Sequence, residues 1–290
     1  MKKVLSFDIG GTKIAHAIVN ANGEFCSNIY KNPTPKSADE IINLFKTVIN
    51  DNYNQIDGVA FSTAGAVNLQ SNAITSFTGN MPCGYNKIEF SGLTDKPILV
   101  ENDANSAAWA EYCVGEAKGL PNNITLVIGT GIGSGIIIDG KLLKGKSGAA
   151  GEMHFSIDSG EKRRCKGCGI FDCFESFASG TGLKITAEEI MGKGTTTFDV
   201  IREKNNNNPL AIKVFDIWQN YLCKGLIMLS NLFDPQIIVL SGSMGQFVEY
   251  EKLQNKINQT ILTQPIKLKP AKLANDAGIL GAALLLLKKL

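Results

Sequence analysis

The chain reads as an α/β protein of two domains, each a mixed sheet flanked by helices. Three observations predict this. Strand-like apolar runs alternate with helical spacing, a glycine-rich strand–turn–strand unit occurs twice (8–13 and 129–135), and 290 residues is about twice an ordinary domain. A chain of that length buries on the order of three-quarters of its unfolded surface and needs no disulfides to fold.

In order, Lys3 to Ile9, Lys13 to Asn20 and Glu24 to Asn32 read as strands joined by glycine turns. Ser37 to Asp51 has helical spacing, with Ser37 as N-cap and Glu40 at the capping-box position. Ile56 to Ser62 and Pro97 to Val100 follow as strands, and the Ala-rich Asn105 to Tyr112 as a helix. The pattern then restarts with strands Asn123 to Ile128, Ile136 to Asp139 and Lys141 to Lys144. A Cys-rich insertion, Glu161 to Cys173, and a polar loop, Asn205 to Asn208, precede a long helix over about Pro209 to Phe233. The buried strand Gln236 to Leu240 ends in a Ser-Gly-Ser-Met-Gly turn. Asp276 is expected to cap a final helix, Ala277 to Lys289, whose Leu284 to Leu287 run is apolar on more than one face and must pack against something, the first domain being the expected surface. A cleft is expected near residues 115–120.

Twenty-nine basic against 27 acidic side chains leave a net charge of +2, which supplies neither a basic field for nucleic acid nor an acidic solvating tail. Hydrophobic residues at 44% and charged residues at 19% are near globular averages, and no run approaches the ~18 apolar residues of a membrane span. Met1-Lys2-Lys3 resembles the start of a signal peptide, but Asp8 interrupts the apolar run, so a cytoplasmic location is expected. Seven cysteines, three of them between 165 and 173, suggest a metal site more than a disulfide framework.

Asp8-Ile9-Gly10-Gly11-Thr12-Lys13 lies between two strands, where paired glycines let backbone amides approach an anion. An ordinary hairpin turn is the simpler alternative, but a carboxylate at the strand end is what Mg2+ needs beside phosphates, usually through water. No Rossmann or Walker pattern is present. The second turn, Gly129-Thr130-Gly131-Ile132-Gly133-Ser134-Gly135, adds hydroxyl donors, so a nucleotide bridging both turns accounts for both. Gly242-Ser243-Met244-Gly245 offers a third close approach suited to a nucleoside, or is a plain strand-to-helix turn. Glu101-Asn102-Asp103-Ala104-Asn105 falls at the C-terminal end of a strand, where active sites of α/β sheets gather. Asp103 is a candidate general base for a hydroxyl, or a helix cap, a duty Asn102 or Asn105 could equally fill.

Six segments in order, Asp8 to Lys13, Glu101 to Asn105, Gly129 to Gly135, Gly151-Glu152 with His154, the Cys-rich block ending in Glu175, and Asn275-Asp276-Ala277-Gly278, resemble the ROK family of sugar kinases and sugar-responsive repressors. The resemblance runs the length of the chain. It implies the actin-like ATPase fold of two ribonuclease-H-like domains with an interdomain cleft: 1–117 with the C-terminal helix 277–290 packed back on it, and 118–276 carrying the Cys-rich loop. ATP-Mg and a hexose or N-acetylhexosamine would meet in that cleft, and homodimers are usual for such proteins. Asp103 then resembles the base that activates the sugar 6-hydroxyl, and Asn80, Asn102, Glu152, His154 and Glu175 resemble ligands of the sugar. Asp8, Gly10, Gly11, Thr12, Lys13, Gly129, Thr130, Gly131, Gly133, Gly242 and Ser243 would serve ATP and Mg2+.

The family's metal pattern is GExGH followed by CxCGxxGCxE. Here Gly151-Glu152-Met153-His154 is one residue shorter, the first two cysteines of Cys165, Cys168 and Cys173 stand one residue further apart, and Asp172 replaces a glycine. One His and three Cys still make a tetrahedral set for structural Zn2+; the alternative is a loop of free thiols. His16 is read as a strand histidine, Trp109 and Trp218 as packing residues, and Lys162, Arg163 and Arg164 as a solvated loop. A sugar-sensing regulator without kinase activity is the rival function; with the first strand starting two residues after Met1, no DNA-binding domain is expected ahead of it. Glucose and N-acetylmannosamine lead as substrates.

Overall fold

The computed structural model describes residues 1–68, 71–76, 81–158 and 160–290. They form two compact units: Met1–Pro121 with Gly135–Gly151 and Lys272–Leu290, and Asn122–Ser134 with Glu152–Ala271.

In the first unit β1 (Lys3–Ile9) and β2 (Lys13–Asn20) form a hairpin, and β3 (Tyr30–Pro33) pairs antiparallel with β2. Helix α1 (Ala38–Asn52) leads to β4 (Gly58–Thr63), the short hairpin β5 (Ala66–Val67) and β6 (Ile74–Ser76), then β7 (Ile98–Asn102) and α2 (Asp103–Val114). Strands β4 and β7 run parallel to β1, giving the order β3-β2-β1-β4-β7. The three parallel strands are buried almost throughout, as apolar runs between helical layers must be. Helix α1 lays Ile41, Phe45 and Ile49 on the sheet, where Phe45 meets Phe61 and Phe7 stacks on Phe61 with ring centres 5.1 Å apart.

The second unit holds β8 (Asn123–Ile128) and the start of β9 (Ile132–Ile138); the division between the units runs through β9, leaving β10 (Lys141–Leu142) with the first. Helices α3 (Phe174–Ala178), α4 (Gly180–Met191), α5 (Thr197–Asn205) and α6 (Pro209–Phe233) follow, then β11 (Ile237–Ser241), α7 (Tyr250–Asn258) and β12 (Lys267–Pro270). The sheet order is β10-β9-β8-β11-β12, with β11 parallel to both β8 and β12. Both sheets therefore carry three strands in reverse order followed by two parallel ones, the ribonuclease-H-like module used twice.

The chain ends in α8 (Ala277–Leu287), buried on nearly every side against α2, β1 and β4. Small residues permit that approach: a Cβ on Gly281 would lie 1.7 Å from the Ser106 carbonyl oxygen, so only glycine lets α8 cross α2 here. No helix among the described residues is long and apolar enough to cross a membrane.

Four local expectations fail for identifiable reasons. The strand expected over Glu24 to Asn32 begins only at Tyr30; before it, Phe25 makes one isolated bridge to Val19, and two side chains compete for ladder amides, Asn20 Oδ1 accepting from the Asn22 and Glu24 N–H groups and Ser27 Oγ from the Ile18 N–H. Ser37 does accept the Glu40 N–H, but the Glu40 carboxylate reaches back to the Lys36 N–H, so the box is not closed on Ser37. Asp276 makes no side-chain cap, because a 3-10 turn over Ala274–Asp276 feeds directly into α8. Arg163 is not solvated. It lies over the Phe177 ring and donates to the Ser176 and Gly182 carbonyls, Thr186 Oγ1 and Glu189, whose carboxylate is 2.6 Å away.

Candidate active site and metal centre

In the first unit, the C-terminal ends of β1, β4 and β7 bring Asp8, Ser62 and Glu101 into one register row. Ser62 Oγ donates to Asp8 Oδ1 at 2.9 Å. Burial pushes the Asp8 carboxyl above its ordinary range, against the Ser62 hydrogen bond and the charge of Lys13. A Cβ on Gly278, at the start of α8, would stand 2.4 Å from Asp8 Oδ1, so the last glycine of Asn275-Asp276-Ala277-Gly278 makes room for that carboxylate. The turn after β1 is closed by Gly10 N–H donating to Lys13 O, and Thr34 Oγ1 donates to Gly10 O. Gly11, Thr12 and Lys13 are left exposed.

At the end of β7 the chain turns directly into α2, and the structure decides which residue caps it. Asn102 Oδ1 accepts from the Ala104 and Asn105 N–H groups at 2.9 and 3.0 Å, while its Nδ2 donates to Gly65 O at 3.0 Å. The capping duty thus belongs to Asn102, whose oxygen is occupied. Asp103, the first helical residue, is exposed and also accepts from Ala104 N–H at 2.8 Å. A negative side chain suits a helix N-terminus, and an exposed one there can meet a substrate hydroxyl. Glu101, only 2% exposed, is paired with Lys144 from the segment after β10; nothing in the sequence pattern singled out that pair.

In the second unit, three backbone turns converge. Gly129 N–H donates to Gly131 O, Gly180 N–H at the start of α4 donates to Gly129 O at 2.8 Å, and Met244 N–H donates to Ile128 O at 3.0 Å. Gly242 has φ +82° and a Cβ there would lie 2.4 Å from Ile128 O, so only glycine fits this turn after β11 against the end of β8. Thr130 and Ser243 are exposed beside it, and Gly133 lies within β9. The Ser179-Gly180-Thr181-Gly182 stretch joins these turns unexpectedly, although its two glycines ahead of a helical pattern are a visible signal in the sequence.

Glu175, on α3, is bound to the turn: its Oε2 accepts the Ile132 N–H at 2.9 Å, and a Cβ on Gly131 would be 2.4 Å from it. Its Oε1 lies 3.6 Å from Cys165 Sγ. The ligand atoms of His154, Cys165, Cys168 and Cys173 all lie within 4.8 Å of one another. A tetrahedral Zn2+ with bonds of about 2.3 Å to sulfur and about 2.05 Å to nitrogen sets an S···N edge of about 3.6 Å. Cys173 Sγ and His154 Nδ1 are 3.6 Å apart. The shorter Glu-Met-His spacing thus still delivers the imidazole to the cysteines, and the four donors fit the metal. His154 Nε2 faces the exposed carboxylate of Glu152 at 3.5 Å, the usual outer partner of a ligating histidine. Burial pushes the Cys173 thiol up to about 12 in the absence of a cation.

The loop tolerates its departures from the family pattern. Asp172 has φ +52°, a conformation that favours glycine but which aspartate adopts more readily than most residues. Its buried Oδ1 accepts the Lys162 and Arg163 N–H groups at 3.0 and 2.9 Å, an anchor that glycine lacks. Asn80 lies outside the described residues. The remaining candidates fall into two groups: Asp8, the turn 10–13, Asn102 and Asp103 on the first unit, and the turns at 129–133 and 242–243 with Glu152, Glu175 and the Cys/His cluster on the second.

This combination, two ribonuclease-H-like modules with acidic and glycine-rich turns at their strand ends, defines an actin-like phosphotransferase class of fold. The profile of the ROK family matches residues 4–289, and the chain belongs to that family. It is 31% identical over 311 residues to the glucokinase of Streptomyces coelicolor, covering 98% of this chain and 97% of that protein. It is 32% identical over 288 residues to the N-acetylmannosamine kinase of Vibrio cholerae serotype O1, covering 97% and 98%. Among solved structures, the ROK hexokinase of Thermus thermophilus superposes with a TM-score of 0.84 at 28% identity, over 99% of each chain. The glucokinase of Streptomyces griseus in complex with glucose and AMPPNP superposes with a TM-score of 0.75 at 29% identity, over 98% of each.

Proposed function

We propose that the protein is an ATP-dependent sugar kinase that transfers the γ-phosphoryl group to the 6-hydroxyl of a hexose or N-acetylhexosamine, with glucose and N-acetylmannosamine the leading substrates. The observation that carries this reading is the placement of Asp103: an exposed carboxylate at the first position of α2, beside the ends of three parallel strands, with the capping duty taken by Asn102. Phosphoryl transfer asks of a protein an aligned hydroxyl, a carboxylate to take its proton, and neutralisation of phosphate charge. Asp103 takes the proton. Asp8 is the residue that would hold Mg2+, which would supply charge neutralisation on the phosphates. Gly10 to Lys13 and Gly129 to Gly133 offer backbone amides and hydroxyls to phosphate oxygens, and Gly242 with Ser243 flanks the nucleoside.

Asn80, Asn102, Glu152, His154 and Glu175 bind the sugar in this reading, Asn102 through its second amide hydrogen, because its oxygen is committed to the cap and its first hydrogen to Gly65 O. Zn2+ on His154, Cys165, Cys168 and Cys173 is structural, since protein fills all four positions, and it braces His154 and Glu175. The protein works in the cytoplasm as a homodimer. A coupled ADP-release assay with ATP-Mg against glucose, N-acetylmannosamine, N-acetylglucosamine, mannose, fructose and allose tests the reading. A marked preference for one sugar supports it; silence across the panel, together with sugar binding by calorimetry, would make the protein a sensor.

A further inference from the structure

The Glu101 carboxylate stands two residues before Asp103 and is almost wholly out of water, and one of its oxygens is given to the start of α2. Oε1 accepts from the Asn102 N–H at 3.1 Å and from Asn105 Nδ2 at 3.0 Å. Oε2 is met by the ammonium of Lys144. Lys144 is in turn held, its backbone carbonyl accepting the Ala150 N–H at 3.2 Å, so the segment after β10 closes on itself. Burying the Glu101 carboxylate costs desolvation that its attraction to Lys144, a side chain still 28% exposed, barely offsets, so the pair is a poor device for stability alone. What it provides here is a charged acceptor gripping the residues on both sides of Asp103.

We propose that Lys144 is a positioning residue for Asp103. It compensates the buried charge of Glu101, and the compensated carboxylate fixes the Asn102 backbone and the Asn105 side chain, which together set where the first turn of α2 points Asp103. Without the ammonium, the buried carboxylate loses the partner of its Oε2 and must turn toward water to replace it. That movement loosens its hold on Asn102 and Asn105. Arginine keeps the charge and can serve; methionine keeps the length and cannot.

This inference rests on the kinase reading, and the test separates the two. Full-length wild type, Lys144→Met, Lys144→Arg and the double variant Lys144→Met with Glu101→Gln are compared in steady-state kinetics on the sugar preferred by wild type, and by hydrogen–deuterium exchange at the amides of residues 102–105. Lys144→Met is expected to lower kcat about 10- to 100-fold, the scale of a reacting group displaced by about 1 Å, with KM for ATP within about twofold. Lys144→Arg recovers most of the loss, the double variant recovers part of it, and the 102–105 amides exchange faster in Lys144→Met alone. Wild-type kcat in Lys144→Met, or equal loss in the Met and Arg variants, would overturn the proposal. If wild type phosphorylates no sugar, the kinase reading fails by itself, and exchange at 102–105 still judges Lys144: unchanged protection in Lys144→Met sinks it.

Discussion

Replacing Gly278 by alanine tests whether the start of α8 shapes the Asp8 site. The new Cβ would stand 2.4 Å from Asp8 Oδ1, 2.7 Å from its Cγ and 2.9 Å from Ser62 Oγ, against the 3.4 Å or more of an ordinary contact. Something must give by close to 1 Å. Helix α8 cannot yield easily, because Gly281 is already pressed against the Ser106 carbonyl and Ser6 Oγ donates to Ile279 O at 2.7 Å. The Asp8 side chain therefore moves, straining or breaking its bond from Ser62. Overpacking costs about 1–3 kcal/mol, and loss of a hydrogen bond to a charged group adds to it, so the variant should lose about 2–4 kcal/mol. In a unit of this size that lowers the unfolding midpoint by about 5–10 °C. Mg2+-dependent nucleotide binding should weaken about tenfold or more, because the carboxylate that organises the cation is displaced. Gly92→Ala is the control, since a Cβ there meets nothing within 4 Å. Thermal unfolding and calorimetric titration with ATP-Mg read both effects. Gly278→Ala with the midpoint and nucleotide affinity of Gly92→Ala would refute the steric reasoning.

Three further outcomes follow from the same geometry. Asp103→Asn should lower kcat about 10²- to 10⁴-fold while calorimetry shows sugar binding within about twofold of wild type; undiminished turnover removes Asp103 from the base role. Asp8 carries a cost: its carboxyl is raised by burial above an unfolded value near 3.9, so the native state binds the extra proton and stability is lost as pH rises through the interval between the two values. Asp8→Asn should therefore raise the unfolding midpoint at pH 7, with the gain vanishing below about pH 4, while phosphoryl transfer is lost; a midpoint gain independent of pH would contradict this. Metal analysis of the purified protein should find about one Zn2+ per chain, and Cys173→Ser should lose it together with part of the unfolding midpoint of the second unit. Full metal retention by that variant would remove Cys173 from the ligand set.

Much of this was legible in the chain because the signals are local. The two glycine turns at 8–13 and 129–135 mark the same hairpin in two sheets of identical strand order. The helix expected over about Pro209 to Phe233 has those bounds, because Asn208 accepts the Leu210 N–H and proline suits the first turn. Residues 101–105 form the strand-to-helix junction that their pattern predicts, but three of them could cap the helix; only the path of the chain past Gly65, which receives the Asn102 amide, selects Asn102. The basic run 162–164 looked solvated because its composition says nothing of Ser176, Gly182, Thr186 and Glu189 waiting around Arg163.

The sequence by itself determined the class of fold, the strand-end acids, the glycine turns and the cysteine spacing, since each depends on backbone preferences and side-chain periodicity over a few neighbouring residues. Tertiary structure alone decided that Gly278 must make room for Asp8, that Lys144 neutralises Glu101, and that His154 reaches the cysteines despite its shortened spacing. Those meetings join residues from 11 to 270 positions apart through close packing, and distances of a few ångströms between remote segments are set by how helices and sheets pack, not by any pattern along the chain.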